Sequence, residues 1–434
     1  MLKNILPLLA LIYSTIAFGQ NTFKAKIIDA ESKEVLFGAS AIVKGTANGS
    51  SADKNGFLEI RNIPTGKQII IFTYMVYQQR NDTINFPFKQ TEPLEIQLSA
   101  EGEDMEEVVV SSTRSSRRIA DIPARIEVIS GEELEEKGNM KPGDIRMMLN
   151  ESTGIQTQQT SATSYNSSIR IQGLDGKYTQ ILKDGLPLYS GFSGGLSLLQ
   201  IVPLDLKQVE VIKGASSTLY GGGAIAGLVN LVSKTPSEKR ELSFLLNGTS
   251  ALGLDASGFY AQKFKKVGTT IFTSYNLGTP YDPANIGLTA IPKYFRFTFN
   301  PKLFFYLNEK TTINIGFNST QEERIGGDMK YIEGNGDSIH SYFEKNKTNR
   351  FSTQLAFDRK INEQSKFAFK NSVSYYDRSI EIPNYKFSGV QLSSFSELNY
   401  NHTGNKMEWI AGVNLWTDKF SQNKSDTSKS LDYN

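Results

Sequence analysis

The carboxyl-terminal part of the chain, from residue 241 onward, alternates apolar and polar side chains with a period of two. Phe295, Phe297 and Phe299 alternate with polar residues, and the same pattern recurs over 313–317 and 351–357. Successive side chains of a β-strand point to opposite faces, so this period predicts strands with one apolar face and one polar face. About nine or ten such strands fit between residue 241 and the end of the chain.

A second β-rich region lies near the amino terminus and is built from shorter strands. Asp53-Lys54-Asn55-Gly56 precedes an apolar run at 57–60, and Pro64-Thr65-Gly66 precedes another at 69–72. Such sequences are typical of tight turns between paired strands. The region 20–99 is therefore predicted to be a β-sandwich of about seven strands.

The first residues have the pattern of a signal peptide. Lys3 supplies a positive charge, an apolar stretch runs from Ile5 to Phe18, and small residues surround a cleavage position before Gln20. The apolar stretch is shorter than the roughly 20 residues that a membrane-spanning helix needs. A signal peptide over 1–19 is therefore the better interpretation than a membrane anchor.

The middle of the chain is predicted to be a small α+β domain over 119–236. Ile169 and Ile171 alternate with polar residues, as do Val209 and Val211, and Asp184-Gly185 supplies a tight turn between strands. The fold class is thus mainly β: a sandwich, a small α+β domain and an antiparallel sheet. The alternation in that sheet fits a transmembrane barrel as well as a soluble sandwich.

Helices and loops of this middle domain follow from capping residues and polarity. Ser130 and Glu133 form a capping-box pattern that starts a helix, and Gly138 is expected to end it. Asp144 is expected to cap a second short helix. The polar stretch 156–166 has no period and is predicted to be a loop.

Composition excludes several classes of function. The 434 residues contain 47 Lys+Arg against 45 Asp+Glu, so no overall charge indicates nucleic-acid binding. No cysteine is present, which excludes disulfides and thiolate metal sites, and two histidines leave little material for imidazole chemistry. We therefore expect no catalytic residues, no metal site and no cofactor.

Several linked motifs in the middle domain resemble the plug domain of TonB-dependent outer-membrane receptors. They are the Ile-Arg-Gly-like strand at 169–173, the Leu-x-Asp-Gly-x-Pro turn at 182–187, Val-Glu-Val-x-x-Gly at 209–214, Ser-x-x-Tyr-Gly at 217–221 and Gly-x-Val-Asn at 227–230. Gln172 stands where the family usually has arginine. The motif residues that the resemblance marks as structural are Arg170, Gly173, Asp184, Gly185, Glu210, Gly214, Tyr220 and Gly221.

The resemblance extends to the region before the plug. Residues 20–99 resemble a carboxypeptidase-regulatory-like domain, with Ala25 where that family usually has glycine. The linker 100–118 contains a stretch that resembles a TonB box, although in isolation it could be a short edge strand after a charged spacer. The resemblance implies that the energy-coupling protein TonB binds this stretch by strand addition. The box residues are Glu106, Glu107, Val108, Val109 and Val110.

The family resemblance also implies a location and a function. A plug over 119–236 would close a barrel begun by 237–434, in contact with outer-membrane lipid, with the sandwich domain in the periplasm. The expected activity is TonB-dependent import of a small scarce ligand, first an iron chelate of the ferric siderophore type, with cobalamin, haem and glycan oligomers as alternatives. A non-transporting surface adhesin is a second class, and an enzyme a third. The expected ligand contacts in the plug loops are Gln159, Tyr165, Tyr189 and Phe192.

The number of strands differs from that of a closed receptor. Plugged transporters of this kind close with roughly 22 strands, and an open sheet in lipid leaves backbone groups unpaired at several kcal/mol each. We therefore expect this chain to be the amino-terminal portion of a longer receptor. Short turns at 308–310 and 362–364 are expected on the periplasmic side, and longer stretches at 322–345 and 377–386 on the outer side.

Overall fold

The computed structural model describes residues 21–30, 32–75, 77–99, 110, 125–161, 163–189, 198–214, 220, 222–404 and 407–423. The predicted signal peptide and almost all of the linker lie outside the described residues. The chain forms two compact units, Met1–Glu107 and Val108–Asn434. No helix in the ranges described here is both long enough and apolar enough to cross a membrane.

The first unit is the predicted β-sandwich. Its described strands form a three-stranded sheet in the order β4-β1-β7 and a four-stranded sheet in the order β3-β2-β5-β6. The strands are β1 (Asn21–Asp29), β2 (Ser40–Val43), β3 (Gly49–Ser51), β4 (Phe57–Ile63), β5 (Gly66–Thr73), β6 (Arg80–Phe86) and β7 (Leu94–Leu98).

Alternation of side chains explains the core of this sandwich. Phe23 and Ile27 of β1 are fully buried, and they pack in one cluster with Phe72 of β5 in the other sheet. The predicted turn before β4 is confirmed, because one carboxylate oxygen of Asp53 accepts hydrogen bonds from the backbone N–H groups of Asn55 and Phe57, both at 2.9 Å.

The second unit begins with the plug. A mixed sheet in the order β12-β11-β14-β13-β8 is accompanied by a separate hairpin of β9 and β10. The elements are β8 (Arg125–Ser130), α1 (Gly131–Met140), α2 (Arg146–Asn150), β9 (Ile155–Gln159), β10 (Ser167–Ile171), β11 (Thr179–Lys183), β12 (Leu186–Tyr189), β13 (Leu206–Lys213) and β14 (Gly227–Ser233).

Three local predictions in the plug need correction. Ser130 is the N-cap residue of α1, but its side chain makes no capping hydrogen bond, and α1 continues past Gly138 to Met140. Residues 156–159 are not a loop: they belong to β9, which pairs antiparallel with β10. A polar strand of this kind carries no apolar period, so its backbone pairing could not be read from the side chains.

Nine antiparallel strands, all within the described part of the chain, form the barrel sheet. The order follows the sequence, and the first and last strands do not pair with each other, so the sheet is not closed. The strands are β15 (Glu241–Gly248), β16 (Leu254–Phe264), β17 (Val267–Gly278), β18 (Lys293–Asn308), β19 (Thr311–Gly327), β20 (Phe343–Asn362), β21 (Ser365–Ile382), β22 (Tyr385–Thr403) and β23 (Glu408–Gln422), with a short helix α3 (Met329–Ile332) between β19 and β20.

The connections define two edges of the barrel sheet. The turn edge carries the short turns between β18 and β19 and between β20 and β21, as predicted. The loop edge carries the longer connections 279–292 and 328–342. The predicted long stretch 377–386 is wrong, because β21 and β22 pair as far as Ile382 and Tyr385 and are joined by a two-residue turn.

Candidate functional site: the contact between plug and barrel sheet

The plug contacts the inner face of the barrel sheet at two levels. Towards the turn edge, the turn at Asp184-Gly185 contacts strands β18 and β21. Towards the loop edge, an apex segment contacts β19, β20 and the connection 279–292. We define the apex segment as residues 161 and 163–166, between β9 and β10.

The Asp184-Gly185 turn is shaped by its sequence. Both residues have positive φ angles, 55° and 75°, as a two-residue turn between paired strands requires. A methyl group on Gly185 would lie 2.5 Å from Lys370 Nζ, but this atom is the far end of a flexible side chain, so the positive φ rather than this contact is what favours glycine. The turn predicted from Asp-Gly is therefore confirmed. The same turn also contacts the inner face of the barrel sheet, which we call the wall.

Two lysines of the barrel sheet hold this turn. Lys302 Nζ donates to a carboxylate oxygen of Asp184, and Lys370 Nζ donates to the backbone carbonyl of Asp184 at 2.8 Å. Ser233 of β14 donates to the same carboxylate from its backbone N–H at 2.8 Å and from its hydroxyl at 3.1 Å. Asp184 thus bonds to one plug strand, β14, and to two strands of the barrel sheet, β18 and β21.

The charge state of Asp184 follows from these neighbours. Burial by itself raises the pKa of the carboxyl, but the ammonium groups of Lys302 and Lys183 and the hydrogen bonds to the carboxylate outweigh it. The pKa of Asp184 is therefore held below the ordinary value. The contact between plug and wall at this level is an ionised one at neutral pH.

A chain of hydrogen bonds connects this turn to the centre of the plug. Glu210 is fully buried on β13, and its carboxylate accepts from the amide of Asn230 at 3.0 Å. The side-chain oxygen of Asn230 in turn accepts from the backbone N–H of Gly185 at 3.0 Å. Two of the motif residues, Glu210 and Gly185, therefore act together in positioning the turn.

Arg296 on β18 binds two separate plug segments. Its guanidinium is buried, and it donates to the backbone carbonyls of Gly143 and Leu199. Its cross-strand neighbour Glu322 on β19 lies 3.8 Å away, a distance that leaves one carboxylate oxygen of Glu322 without a hydrogen bond in the structure. The wall thus holds the plug through backbone acceptors as well as side chains.

The apex segment is fixed by three wall residues. The carboxylate of Glu344 on β20 accepts from the hydroxyls of Ser161 and Ser164, both at 2.6 Å, and from the amide of Asn166 at 3.2 Å. Arg324 Nη1 donates to the carbonyl of Ser164 at 3.1 Å, and the hydroxyl of Thr289 donates to the carbonyl of Thr163 at 3.2 Å. These contacts place the segment beside the loop edge.

The structure also locates two of the predicted ligand contacts. Tyr165 has a positive φ of 65°, and the guanidinium of Arg146 lies 4.3 Å from the centre of its ring. Lys141 Nζ lies 5.1 Å from the same ring, so cations occupy part of its aromatic surface. Gln159 is exposed at the end of β9 and donates to the carbonyl of Ser161 at 2.6 Å.

Arg146 is itself held in place by the aspartate predicted to cap α2. Asp144 accepts from the backbone N–H and from the guanidinium of Arg146, at 3.0 and 2.9 Å. Burial raises the pKa of Asp144, but the positive charge of Arg146 and its hydrogen bonds lower it by more. The first N–H group of the helix is thus satisfied, although Ile145 is the N-cap residue.

The remaining predicted residues are distributed over the plug or fall outside the described residues. Gly173 and Gly214 have positive φ angles, Tyr220 is buried, and Arg170 donates to the side-chain oxygen of Gln158 at 2.6 Å. Val110 is buried. Outside the described residues lie Glu106, Glu107, Val108, Val109, Phe192 and Gly221, together with the side chain of Tyr189.

Sequence reasoning missed the wall side of the contact. Arg296, Lys302, Arg324 and Glu344 are polar residues on strands whose opposite faces are apolar. The alternation places these four residues on the polar face of their strands. It does not indicate that a plug packs against that face. No group of three or more His, Asp or Glu side chains in the described part of the chain could hold a metal ion.

Comparison with known proteins fits this architecture. Residues 118–228 match the TonB-dependent receptor plug domain, and residues 23–110 match the CarboxypepD_reg-like domain. The chain is 33% identical over 144 residues to the vitamin B12 transporter BtuB of Vibrio vulnificus (strain CMCP6), which is 33% of this chain and 23% of that protein. It is also 33% identical over 147 residues to the ferric aerobactin receptor of Klebsiella pneumoniae, which is 33% of this chain and 19% of that receptor.

Solved structures resemble the chain in fold. FpvA of P. aeruginosa, in complex with ferric pyoverdine, gives a TM-score of 0.60 at 12% identity, covering 75% of this chain and 48% of that one. The alcaligin outer-membrane receptor FauA of Bordetella pertussis gives 0.57 at 14% identity, covering 73% and 50%. The chain thus spans about half the length of these structures and about a quarter or less of the curated relatives above.

The fold places a plug domain against the strands of a barrel sheet. The chain contains a TonB-dependent receptor plug domain and a CarboxypepD_reg-like domain, and its barrel sheet, which is not closed, resembles the solved outer-membrane receptors in fold. The resemblance predicted from the sequence is confirmed at this level. The domain boundaries given above stay predictions.

Proposed function

We propose that the protein carries out TonB-dependent import of a scarce ligand across the outer membrane, most directly a ferric siderophore. The observation that supports the proposal is the nature of the contact between plug and barrel sheet. That contact consists mainly of hydrogen bonds and ion pairs, such as Lys302 with Asp184 and Glu344 with Ser161. Polar contacts of this kind can be exchanged for water when the plug moves.

The plug has an apolar core of its own, so such movement does not require that this core be disrupted. Ile129, Leu149, Ile171, Val211 and Val229 are buried together in one cluster of plug residues. Separation of the plug from the barrel sheet would break these polar contacts and one small apolar cluster, in which Val202 of the plug packs with Phe259 and Phe272, and would leave the plug core intact. Rearrangement of the plug therefore costs much less than unfolding it.

We infer that the force for this movement is applied at the predicted TonB box, 106–110. Three consecutive valines favour an extended conformation, which suits addition to a strand of the partner TonB. Val109→Pro removes a backbone donor and should abolish energy-dependent uptake while ligand binding to cells persists. Val109→Ala keeps the donor and serves as the control, with uptake near the wild-type rate. Unchanged uptake by the proline variant would show that the box lies elsewhere.

The choice of ligand is tested by growth. Curated relatives include a receptor named for ferric aerobactin and a transporter named for vitamin B12, and both are candidates here. Haem and glycan oligomers are further candidates. A deletion strain grown under iron starvation on a panel of ferric chelates should lose growth on the chelate that this protein imports. Loss of growth only on vitamin B12 would favour the cobalamin alternative.

We place the barrel sheet in the outer membrane and the sandwich domain in the periplasm, without enzymatic activity. The apolar outer face of the sheet supports the first point, since Phe244, Leu246 and Val413 are exposed by more than half. A surface adhesin is the alternative of a different class. Ligand accumulation that survives collapse of the proton motive force would favour the adhesin.

A further inference from the structure

A small cavity lies between the plug and the wall. Its volume is about 30 Å³, which is room for roughly two water molecules or for one ion of similar size. The plug lines it with Lys183 of β11 and with the stretch 200–202. The wall lines it with polar residues of β18, β19 and β20. The cavity is therefore part of the contact between plug and wall.

Three polar groups of the wall line this cavity without a hydrogen-bond partner in the structure. They are the hydroxyl of Thr298 and the side-chain oxygens of Asn300 and Asn318. These residues are buried, with exposed fractions of 3%, 7% and 7%. An unpaired polar group in such a place is costly, so three of them beside one cavity indicate a bound partner inside it.

The charged side chains around the cavity are cationic. Lys183 of the plug and Arg350 of the wall both line it, and no carboxylate does among the residues that the structure describes. The ammonium group of Lys183 has three hydrogens, of which Asp205 accepts one at 2.6 Å. Arg350 Nε donates to the side-chain oxygen of Gln200 at 3.4 Å, and the guanidinium lies over the ring of Tyr376. Cationic donors from both domains favour an anion in the cavity and disfavour a metal cation.

The two asparagines can also donate to an anion. A carboxamide has an oxygen on one side and an NH₂ group on the other, and a half-turn of the amide exchanges them. Asn318 Nδ2 donates to the hydroxyl of Ser352 at 3.4 Å, and after the half-turn this hydroxyl can donate to the amide oxygen instead. The exchange thus costs Asn318 no hydrogen bond. Thr298 can donate through its hydroxyl without any rearrangement.

We propose that this cavity binds one small monovalent anion, with the size and charge of chloride, between Lys183 of the plug and Arg350 of the wall. The hydroxyl of Thr298 and the amide groups of Asn300 and Asn318 complete the set of donors. The inference goes beyond ligand import, because the anion is a structural part of the contact between plug and wall. It does not depend on which ligand the protein imports.

A bound anion makes the seating of the plug depend on the kind of salt present. The anion is attracted by a cation of the plug and by a cation of the wall, so it links the two domains. Ordinary ion pairs become weaker when salt is added, because salt screens them. The plug contact should instead become stronger with chloride. The sign of the effect therefore distinguishes a bound anion from screening.

The first test is diffraction from crystals of the whole protein soaked in sodium bromide. Bromide replaces chloride and scatters anomalously, so we expect an anomalous difference peak inside the cavity, in contact with Lys183 Nζ and Thr298 Oγ1. Density that fits water alone, with no anomalous signal, would overturn the proposal.

The second test is hydrogen exchange of the β11 amides in the whole protein, in sodium chloride and in sodium gluconate of equal ionic strength. Gluconate is too large for the cavity, and equal ionic strength keeps screening the same. Chloride at ten times its dissociation constant should slow the exchange by about tenfold, because a ligand of the closed form lowers the open fraction by the factor 1 + [L]/Kd. Equal rates in both salts would contradict the proposal, and a bromide peak without this effect would mark an adventitious ion only.

A double variant shows whether the effect of chloride arises in this cavity. Thr298→Val with Asn300→Leu removes two donors and keeps the size of both side chains. It should exchange at the same rate in both salts and give no bromide peak. In gluconate it should be at least as protected as the wild type, since apolar groups of the same shape replace unpaired polar groups. If this variant does not fold, the two measurements on the wild type decide.

Thr270→Val is the matched control for the double variant. Thr270 is buried on β17 but does not line the cavity, so its variant should keep the full effect of chloride. A chloride effect that survives in Thr298→Val with Asn300→Leu would place the anion elsewhere and overturn the assignment.

Discussion

The β-sandwich and the barrel sheet both alternate apolar and polar side chains with a period of two. The sandwich buries its apolar face, whereas the barrel sheet buries its polar face. In β1 of the sandwich, Phe23 and Ile27 are fully buried, while Lys24 is exposed and Lys26 is half-buried. In β18 of the barrel sheet, Phe297 is 41% exposed while its neighbour Arg296 is 2% exposed. The period therefore establishes a strand, but the partner on each face decides which side chains are inside.

This difference changes what stabilises each region. The sandwich buries apolar area and satisfies its backbone within two sheets, so its stability depends on its aromatic and aliphatic core. The barrel sheet buries Arg296, Glu322 and Arg324, which need charged or hydrogen-bonding partners. Some of these partners are carbonyls of the plug. The sheet and the plug are therefore interdependent, whereas the sandwich has a core of its own.

The largest effect is expected from removing an aromatic ring from the sandwich core. Phe72 is fully buried and its ring centre lies 6.2 Å from that of Phe23. Phe72→Ala should lower the free energy of unfolding of the sandwich by about 3–5 kcal/mol, because it leaves a cavity. Hydrogen exchange of the β1 and β5 amides in urea measures it. Ile42→Ala, at a position 44% exposed on the other face, is the control and should cost well under half as much.

The second-largest loss of stability is expected from a substitution on the barrel sheet, on the face where apolar side chains are exposed. Phe299 is 37% exposed on β18, on the face that we place against lipid. Phe299→Lys should cost about 2–4 kcal/mol in a bilayer, whereas the same change on a water-exposed face would cost little. Both tryptophans, Trp409 and Trp416, lie on β23, so tryptophan fluorescence in liposomes follows unfolding of the sheet. Phe299→Leu is the matched control, and equal stability of all three forms would place this face in water.

Sequence reasoning was most successful where a local rule has one structural solution. The turn at Asp184-Gly185, the turn before β4 and the alternating strands of the barrel sheet all belong to this class. Each depends on neighbours within a few residues, such as a glycine with positive φ or a side chain that accepts from the next N–H groups. These two turns and the strands of the barrel sheet could therefore be assigned without knowledge of what packs against them.

Prediction failed where the environment is supplied by distant residues. Residues 156–159 form a strand because β10 pairs with them, and Tyr376 and Arg378 continue β21 because β20 extends beside them. Glu344 was not singled out, since its partners Ser161 and Ser164 lie some 180 residues earlier in the chain. A carboxylate on the polar face of a strand gives no indication in sequence of which donors will meet it.

A third effect tests the polar interior of the second unit through its pH dependence. Asp184→Asn should lower the free energy of unfolding at pH 7 by about 1.5–3 kcal/mol, because it neutralises a charge-assisted contact with Lys302. The folded-state pKa of Asp184 lies below the ordinary value of about 3.9, so the ionised contact stabilises the fold above that pH. The contribution is lost as the pH falls through the lowered pKa.

The measurement for Asp184 is urea unfolding in liposomes at a series of pH values between 7 and 2. The wild type and Asp184→Asn should differ at neutral pH and converge at the acid end of the series. Asp175→Asn is the control, since Asp175 is exposed and accepts from the N–H of Lys177 without contacting the wall. A difference between wild type and Asp184→Asn that stays constant down to pH 2 would mean that the carboxylate does not contribute through its charge.

The smallest effect concerns α1 in the plug, where sequence and structure disagree on the end of the helix. Gly138 lies inside α1, and a methyl group there would meet only ordinary contacts at 3.7 Å from Pro203 and 3.8 Å from Met148. Gly138→Ala should therefore stabilise the plug by about 0.5–1 kcal/mol, since alanine is more favourable than glycine in a helix interior. Hydrogen exchange of the α1 amides measures the change. A loss of stability of similar size would instead mean that Gly138 ends the helix in a left-handed conformation, as its sequence position first indicated.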